Sequence, residues 1–307
     1  MISVVIPLYN KEEMITKTVM SVLNQTFKEF EIIIVNDGST DLSLDVVSGI
    51  ADSRVKVVSI VNSGVSVARN TGIKLASYPW VALLDGDDWW APNFLETMVT
   101  SISNYPKHKL FATGRSRVFK YVVERYDHEL LPDEGSAAAL NYFKVISRFL
   151  PLINSSNVVI RKTLFETAGY FRHGQRKHED HDLWLRLAVG NEVVFVNKNL
   201  SFYRKTETNT ASLTPFTATD FILYMKTMIE VKAQITPEEQ TNFRHYYRKY
   251  VLLVYLQYYG GYTVAENKQV YAQLRELLSG KDLFLAKSIH ALPLKWCYSL
   301  LRKIKGR

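Results

Sequence analysis

Trp80-Val-Ala-Leu-Leu-Asp85-Gly-Asp-Asp88 runs an apolar stretch straight into three carboxylates. A buried strand gains no stability by ending in an acidic cluster, because like charges repel and each loses hydration. A hard divalent cation removes the repulsion, and Mg²⁺ and Mn²⁺ favour carboxylate oxygens together with those of a diphosphate. The Asp-x-Asp spacing predicts Asp85 and Asp87 on one side of an extended backbone, with Gly86 between them giving a phosphate room to approach. A polar loop leading into a helix at Pro92 would produce the same letters, so the segment has to be judged with its neighbours.

Working toward the N-terminus, apolar and helical segments alternate. Ile2–Pro7, Glu31–Asn36, Val55–Ile60 and Trp80–Leu84 read as strands, and residues 11–26, 42–50 and 65–76 read as helices between them. Asn10 with Glu13 forms a candidate capping box for the first helix. Unbroken apolar strands separated by helices predict an α/β fold with a Rossmann-like, mostly parallel sheet covered on both faces. Right-handed crossovers put the strand C-termini on one edge, where such sheets bind ligands.

Other candidate residues fall on that edge. Pro7-Leu-Tyr9-Asn10 ends the first strand, and Tyr9 either stacks on a base or simply makes a turn. Asn36-Asp37-Gly38-Ser39 ends the second; Asp37 either accepts hydrogen bonds from a ribose or base, or caps a tight turn. Arg69, in the helix opened by Asn62-Ser-Gly64, could reach a phosphate or hold Asp37 or Asp85 in place. Farther on, His178-Glu179-Asp180-His181-Asp182 crowds acids and histidines at a helix start. The helix dipole favours acids there, and one carboxylate could equally serve as a general base.

Beyond residue 105 the pattern is less regular. Strand-like runs lie within 110–123, 152–160 and 193–197, and helical ones at 136–148, 162–168 and 182–189. From Thr217 the chain reads as helical, with a boundary expected in the polar stretch 205–214.

Five segments in this order resemble the large inverting family-2 glycosyltransferases with the GT-A fold: Val5–Asn10, Ile34–Ser39, Ala68–Gly72, Leu83–Asp88 and Glu179–Arg186. The resemblance covers about residues 1–205. It implies a catalytic domain at 1–214, with a nucleotide-sugar half to about 104 and an acceptor half beyond, followed by a helical basic region at 215–307. Pro7, Tyr9 and Asp37 look like the nucleoside pocket, with Arg69 near the pyrophosphate. Asp85, Gly86 and Asp87 look like the motif that meets the sugar-nucleotide and a Mn²⁺ or Mg²⁺ ion, Asp87 and Asp85 being the metal ligands. Asp180 looks like the catalytic base and Glu179 like its acceptor-site neighbour. The expected reaction is transfer of one sugar, with inversion, from a nucleotide-diphosphate donor to a saccharide or lipid-linked acceptor. UDP is the commonest donor nucleotide among similar proteins. Many relatives place a histidine after a Tyr-Arg pair, but here Tyr203-Arg204 leads into Lys205-Thr206-Glu207, so a metal ligand is not evident there. No Gln-x-x-Arg-Trp motif of processive synthases is present.

Composition sets the remaining bounds. The 307 residues are 47% hydrophobic and 22% charged, as in globular proteins. A single cysteine, Cys297, excludes an internal disulfide framework. No signal peptide is read at the N-terminus, and the apolar-leaning run 251–262 is short of the roughly 20 residues of a membrane span. Residues 1–220 balance 24 Lys and Arg with 24 Asp and Glu, so the net +8 lies wholly in 221–307. Within 281–307, seven Lys or Arg stand against Asp282 alone, interleaved with Leu285, Ile289, Leu292, Trp296, Leu300 and Ile304. That pattern predicts an amphipathic element on a membrane surface, interrupted at Pro293, and so a cytoplasmic, peripheral protein. The tyrosine-rich run 246–259 reads as core or a homo-oligomer face. Charge confined to one tail argues against nucleic acid, and Pro-Leu-Tyr-Asn after the first strand argues against a dinucleotide dehydrogenase. A sugar nucleotidyltransferase lacks its basic glycine-rich loop here, and a non-catalytic nucleotide-sugar-binding protein is the remaining alternative.

Overall fold

A computed structural model describes residues 1–120, 122–205, 216–258 and 261–291, with side chains to residue 288. Its first half follows the alternation in the sequence. Strands β1 (Ile2–Leu8), β2 (Phe30–Asp37), β3 (Val55–Ile60) and β4 (Trp80–Leu83) are parallel neighbours in the order β3-β2-β1-β4. Helices α1 (Ile15–Leu23), α2 (Ser43–Ser48) and α3 (Val65–Leu75) connect them. Successive residues feed opposite cores: Val4, Ile6, Ile32 and Ile34 pack with α1, while Val5, Ile33, Val35 and Leu83 pack with α3. Burial on both faces is why these strands read as continuous apolar runs. The chain winds outward from β1 to β3, then returns past β1 to β4. The winding therefore reverses between β1 and β4, the position at which open sheets hold ligands.

The second half contains β5 (Trp89–Trp90), α4 (Phe94–Asn104), β6 (Leu110–Phe119), β7 (Val122–Arg125), β8 (Ala137–Leu140), α5 (Tyr142–Ile146), β9 (Val158–Arg161), α6 (Lys162–Ala168), α7 (Glu179–Leu187) and β10 (Val193–Arg204). The sheet continues β9-β6-β10-β5, with β9 antiparallel to both neighbours and β10 parallel to β6. The expectation of a mostly parallel sheet thus holds for the first four strands, and beyond them the sheet is mixed. Short connections such as that from β6 to β7 can only fold back antiparallel, since parallel pairing needs a long crossover.

Two local expectations are corrected. Asn10 does not cap α1, which begins at Ile15 without a side-chain cap. Asn10 instead adopts a left-handed φ of 51°, and its side-chain oxygen accepts the Thr40 N–H at 2.8 Å, tying the loop after β1 to the loop after β2. Residues 136–148 are not one helix. Ala137–Leu140 pair antiparallel with Val193–Val196 of β10, so tertiary pairing overrides the helical preference of three alanines. Asn141 then caps the short α5, accepting the Lys144 N–H at 2.9 Å.

Helices α8 (Ala218–Gln234), α9 (Pro237–Tyr258), α10 (Val264–Leu277) and α11 (Gly280–Ala291) complete the described chain. They share one hydrophobic core with the α3 face of the sheet; Phe243 of α9, for example, meets Phe143 of α5 edge-on at 5.2 Å. The stretch 205–214 lies outside the described residues except for Lys205, as does the tail beyond residue 291. On α11, Asp282 and Ala286 are buried while Phe284 and Leu285 are exposed. No described helix is long and apolar enough to cross a membrane.

Candidate active site

The site assembles at the C-terminal ends of β1, β2 and β4. β4 stops at Leu83, and Asp85–Asp88 closes a turn through the Asp88 N–H and the Asp85 carbonyl at 3.0 Å. The three carboxylates therefore diverge, where an extended backbone would have put Asp85 and Asp87 on one side. The Thr18 hydroxyl of α1 pins the turn by donating to the carbonyls of Gly86, at 3.1 Å, and Asp88, at 2.8 Å. Gly86 has a packing reason beside the expected phosphate one: a Cβ there would lie 2.9 Å from the Pro7 carbonyl oxygen.

Each acid of the turn has a different partner. Asp85 meets Arg69 at 2.7 Å, and Asp87 meets Lys11 at 2.6 Å. Asp88 turns inward, accepting the Ser156 hydroxyl at 2.5 Å and the Arg204 N–H at 2.9 Å. Burial, with Asp87 and Asp85 close by, pushes the Asp88 carboxyl well above the ordinary range. Asp88 thus ties the turn to the approach of β9 and the end of β10. Burial also raises Asp85, against the pull of Arg69.

Arg69 is the joint of the site. It is 4% exposed and also donates to Glu179 at 3.2 Å, so one guanidinium links the acidic turn to the start of α7. Glu179 is pushed up to about 7 by burial and by the charge of Asp180. Burial opposes ionisation of Asp180 too, but His181, Arg69 and His178 outweigh it and hold its carboxyl below the ordinary value. The neighbouring acids are thereby separated: Asp180 is the ionised one, Glu179 the more readily protonated. Asp182, the third acid of the turn, is fully buried against Arg186, Arg172 and the Thr227 hydroxyl, and it joins α7 to α8. His178 takes a left-handed φ of 58° just before α7. Burial and the His181 charge lower it to about 4, and its Nε2 is hydrogen-bonded to the Tyr250 hydroxyl of α9.

Asp37 is buried, and its two oxygens accept the N–H groups of Ser63, at 2.7 Å, and Gly64, at 2.8 Å. It fixes the loop that opens α3, the turn-capping alternative of the sequence. Tyr9 is 46% exposed at the end of β1, leaving a ring face open to stacking. Eight of the nine sequence-predicted residues thus lie along the strand ends or at the start of α7, and Arg69 reaches between them from α3. Lys11, Ser156 and Tyr250 were not foreseen as site residues. Ser156 lies in the stretch 152–157 read as donor-discriminating, and it also accepts the Asp85 N–H at 3.1 Å.

Among the described residues, no group of three or more His, Cys, Asp or Glu side chains converges to cage a cation. Mg²⁺ often takes one or two carboxylates and completes its shell with substrate phosphates and water. Asp85 and Asp87 are the residues that would hold a cation in that sparse mode, and Asp87 would have to give up Lys11 for it.

Residues 3–161 match the family model described as glycosyl transferase family 2, and the chain belongs to that family. It is 28% identical over 213 residues to the glycosyltransferase GlyA of Streptococcus pneumoniae, covering 66% of this chain and 30% of GlyA. The chain thus spans about 30% of the length of that relative. It is also 28% identical over 216 residues to WfgD of Escherichia coli, a UDP-Glc:α-D-GlcNAc-diphosphoundecaprenol β-1,3-glucosyltransferase, covering 69% of this chain and 80% of WfgD. Residues 1–349 of S. aureus TarS, solved in complex with UDP-GlcNAc, superpose with a TM-score of 0.76 at 19% identity, covering 98% of this chain and 91% of that one. That likeness places the whole described chain, C-terminal helices included, in one known fold.

Proposed function

We propose that this chain transfers one sugar, with inversion, from a UDP-sugar to a saccharide or lipid-linked saccharide. The observation that carries the reading is the Asp85–Arg69–Glu179 bridge, which couples the donor-side turn to the helix start bearing Asp180. The family and the nucleotide-sugar chemistry of WfgD and TarS support it.

In this reading Tyr9 and Asp37 flank the nucleoside, and Asp85 and Asp87 would hold Mn²⁺ or Mg²⁺. Such an ion, when bound, supplies charge neutralisation for the leaving diphosphate. Asp180 accepts the proton of the acceptor hydroxyl as that oxygen bonds to the anomeric carbon and the bond to UDP breaks. An ionised base is required for this, and the Arg69 guanidinium near Asp180 favours its charged form. Glu179 and Arg69 orient the base. Arg69 also keeps a fixed positive charge beside the diphosphate position.

The proposal places the protein at the cytoplasmic membrane surface through basic residues in 281–307. The full chain should co-sediment with anionic vesicles and not with neutral ones; equal partition would contradict this. For catalysis, incubation with UDP-sugars and Mn²⁺ should release UDP with at least one donor, in a manner abolished by Asp180→Asn. Release unaffected by that change would overturn the assignment of the base.

A further inference from the structure

A cleft of about 590 Å³ opens between the β6–β7 hairpin, the end of α5 and helix α9. Arg115, Arg117, Arg125, Arg148 and Lys249 line it, against two carboxylates, Glu124 and Asp127. Little inside the protein answers this charge. Arg115 donates to the Pro151 carbonyl at 2.7 Å and the Leu152 carbonyl at 2.9 Å, lies over the Tyr126 ring at 4.1 Å, and forms no ion pair with a carboxylate among the described residues. Burial, with Arg117 adding its own charge, pulls Arg115 down to about 10. Arg125 and Arg148 make only long, exposed pairs, at 3.5 Å to Glu134 and 3.6 Å to Glu129, of a kind worth little. Arg117 and Lys249 make no ion pair with a described carboxylate.

The cleft adjoins the proposed base. Tyr246 and Tyr250 line its wall, and the Tyr250 hydroxyl is bonded to His178, two residues before Asp180. The charge of Asp180 bears on Arg115, Tyr246 and Tyr250 alike. An acceptor whose hydroxyl reaches Asp180 would lay its remaining bulk along these cations. Several arginine forks in one cleft match an anion with many oxygens at wide spacing, which a phosphoester provides and a single carboxylate does not.

We propose that this cleft is the acceptor subsite and that it recognises a phosphoester or diphosphate group on the acceptor. The proposal rests on the UDP-sugar transferase reading above, and its test separates the subsite from donor binding. Inorganic pyrophosphate is titrated calorimetrically into the full chain in EDTA, which suppresses cation-dependent nucleotide binding elsewhere. Wild type should bind saturably. Arg117→Gln and Lys249→Gln, both at exposed positions, should each weaken binding by roughly fivefold or more, while Lys11→Gln at the acidic turn should not. Both cleft variants should bind UDP with Mn²⁺ as wild type does. A chain that binds UDP but no pyrophosphate overturns the subsite alone. So does pyrophosphate binding lost in Lys11→Gln yet intact in the cleft variants. Pyrophosphate binding through Arg117 in a chain indifferent to UDP would keep the anion subsite and remove the donor reading. Octyl diphosphate and a glycerol-phosphate trimer then distinguish a lipid-linked diphosphate from a phosphodiester polymer, according to which binds tighter. Equally tight binding of an uncharged disaccharide would contradict both.

Discussion

Arg69 has more depending on it than any other side chain of the site, because it compensates two partly buried carboxylates at once. Removing one partner of such a pair leaves uncompensated charge, at a cost of about 3–5 kcal/mol. Arg69→Met should therefore lower stability by that order in urea unfolding, and a change below about 1 kcal/mol would show that the bridge is solvated. Asp180→Asn should behave differently: it keeps the shape, should fold and bind donor, and should lose transfer by about 10²-fold or more. Near-normal turnover would move the base, with Glu179 the next candidate. The acids of the site were legible in the sequence because carboxylates crowded at a strand end and a helix start stand out locally. Their partners were not. Lys11 finds Asp87 across 76 residues, Ser156 finds Asp85 across 71 and Tyr250 finds His178 across 72; pairings so distant are set by strand order, which spacing does not encode.

At the scale of elements, the seat of α3 on β1 fixes where Arg69 points. Gly72 sits one turn after Arg69, and a Cβ there would fall 2.3 Å from Val5 Cγ1. Gly72→Ala should therefore destabilise by about 1–3 kcal/mol through overpacking, despite alanine's better helix propensity. A neutral or stabilising result by thermal unfolding would mean that the helix shifts freely. The start of α7 makes a pH prediction. Glu179 holds its proton to about pH 7 in the folded chain, above its ordinary 4.5, so the folded state binds more protons across that interval. Stability should fall as pH rises from about 4.5 to 7. Asp85 and Asp88 are raised as well, so the diagnostic is the difference between proteins: Glu179→Gln should flatten the slope between pH 5 and 7.5 relative to wild type. An identical slope would show that Glu179 is ionised throughout. The first four strands were legible because double-sided burial writes uninterrupted apolar runs. Ala137–Leu140 was not, since pairing with β10 and not its own composition makes it a strand.

For the whole molecule, the acidic turn and the α7 start come from opposite ends of a long stretch of chain and meet because the winding reverses between β1 and β4. The helices from 218 onward share the sheet's core and carry Tyr246, Tyr250 and Lys249 to the basic cleft beside α7. The sequence marked that region as helical and basic but gave no sign that it would wall the site, because a helix's docking face depends on the surface it meets. The central claim is that this edge holds a nucleotide diphosphate through a cation at Asp85 and Asp87. Its most direct test is calorimetric titration of the full chain with UDP, with and without Mn²⁺, alongside Asp87→Ala. The account predicts saturable binding by wild type only when Mn²⁺ is present, and at least roughly tenfold weaker binding by the variant, as for loss of a metal ligand. Metal-independent binding of equal strength in both proteins would contradict it.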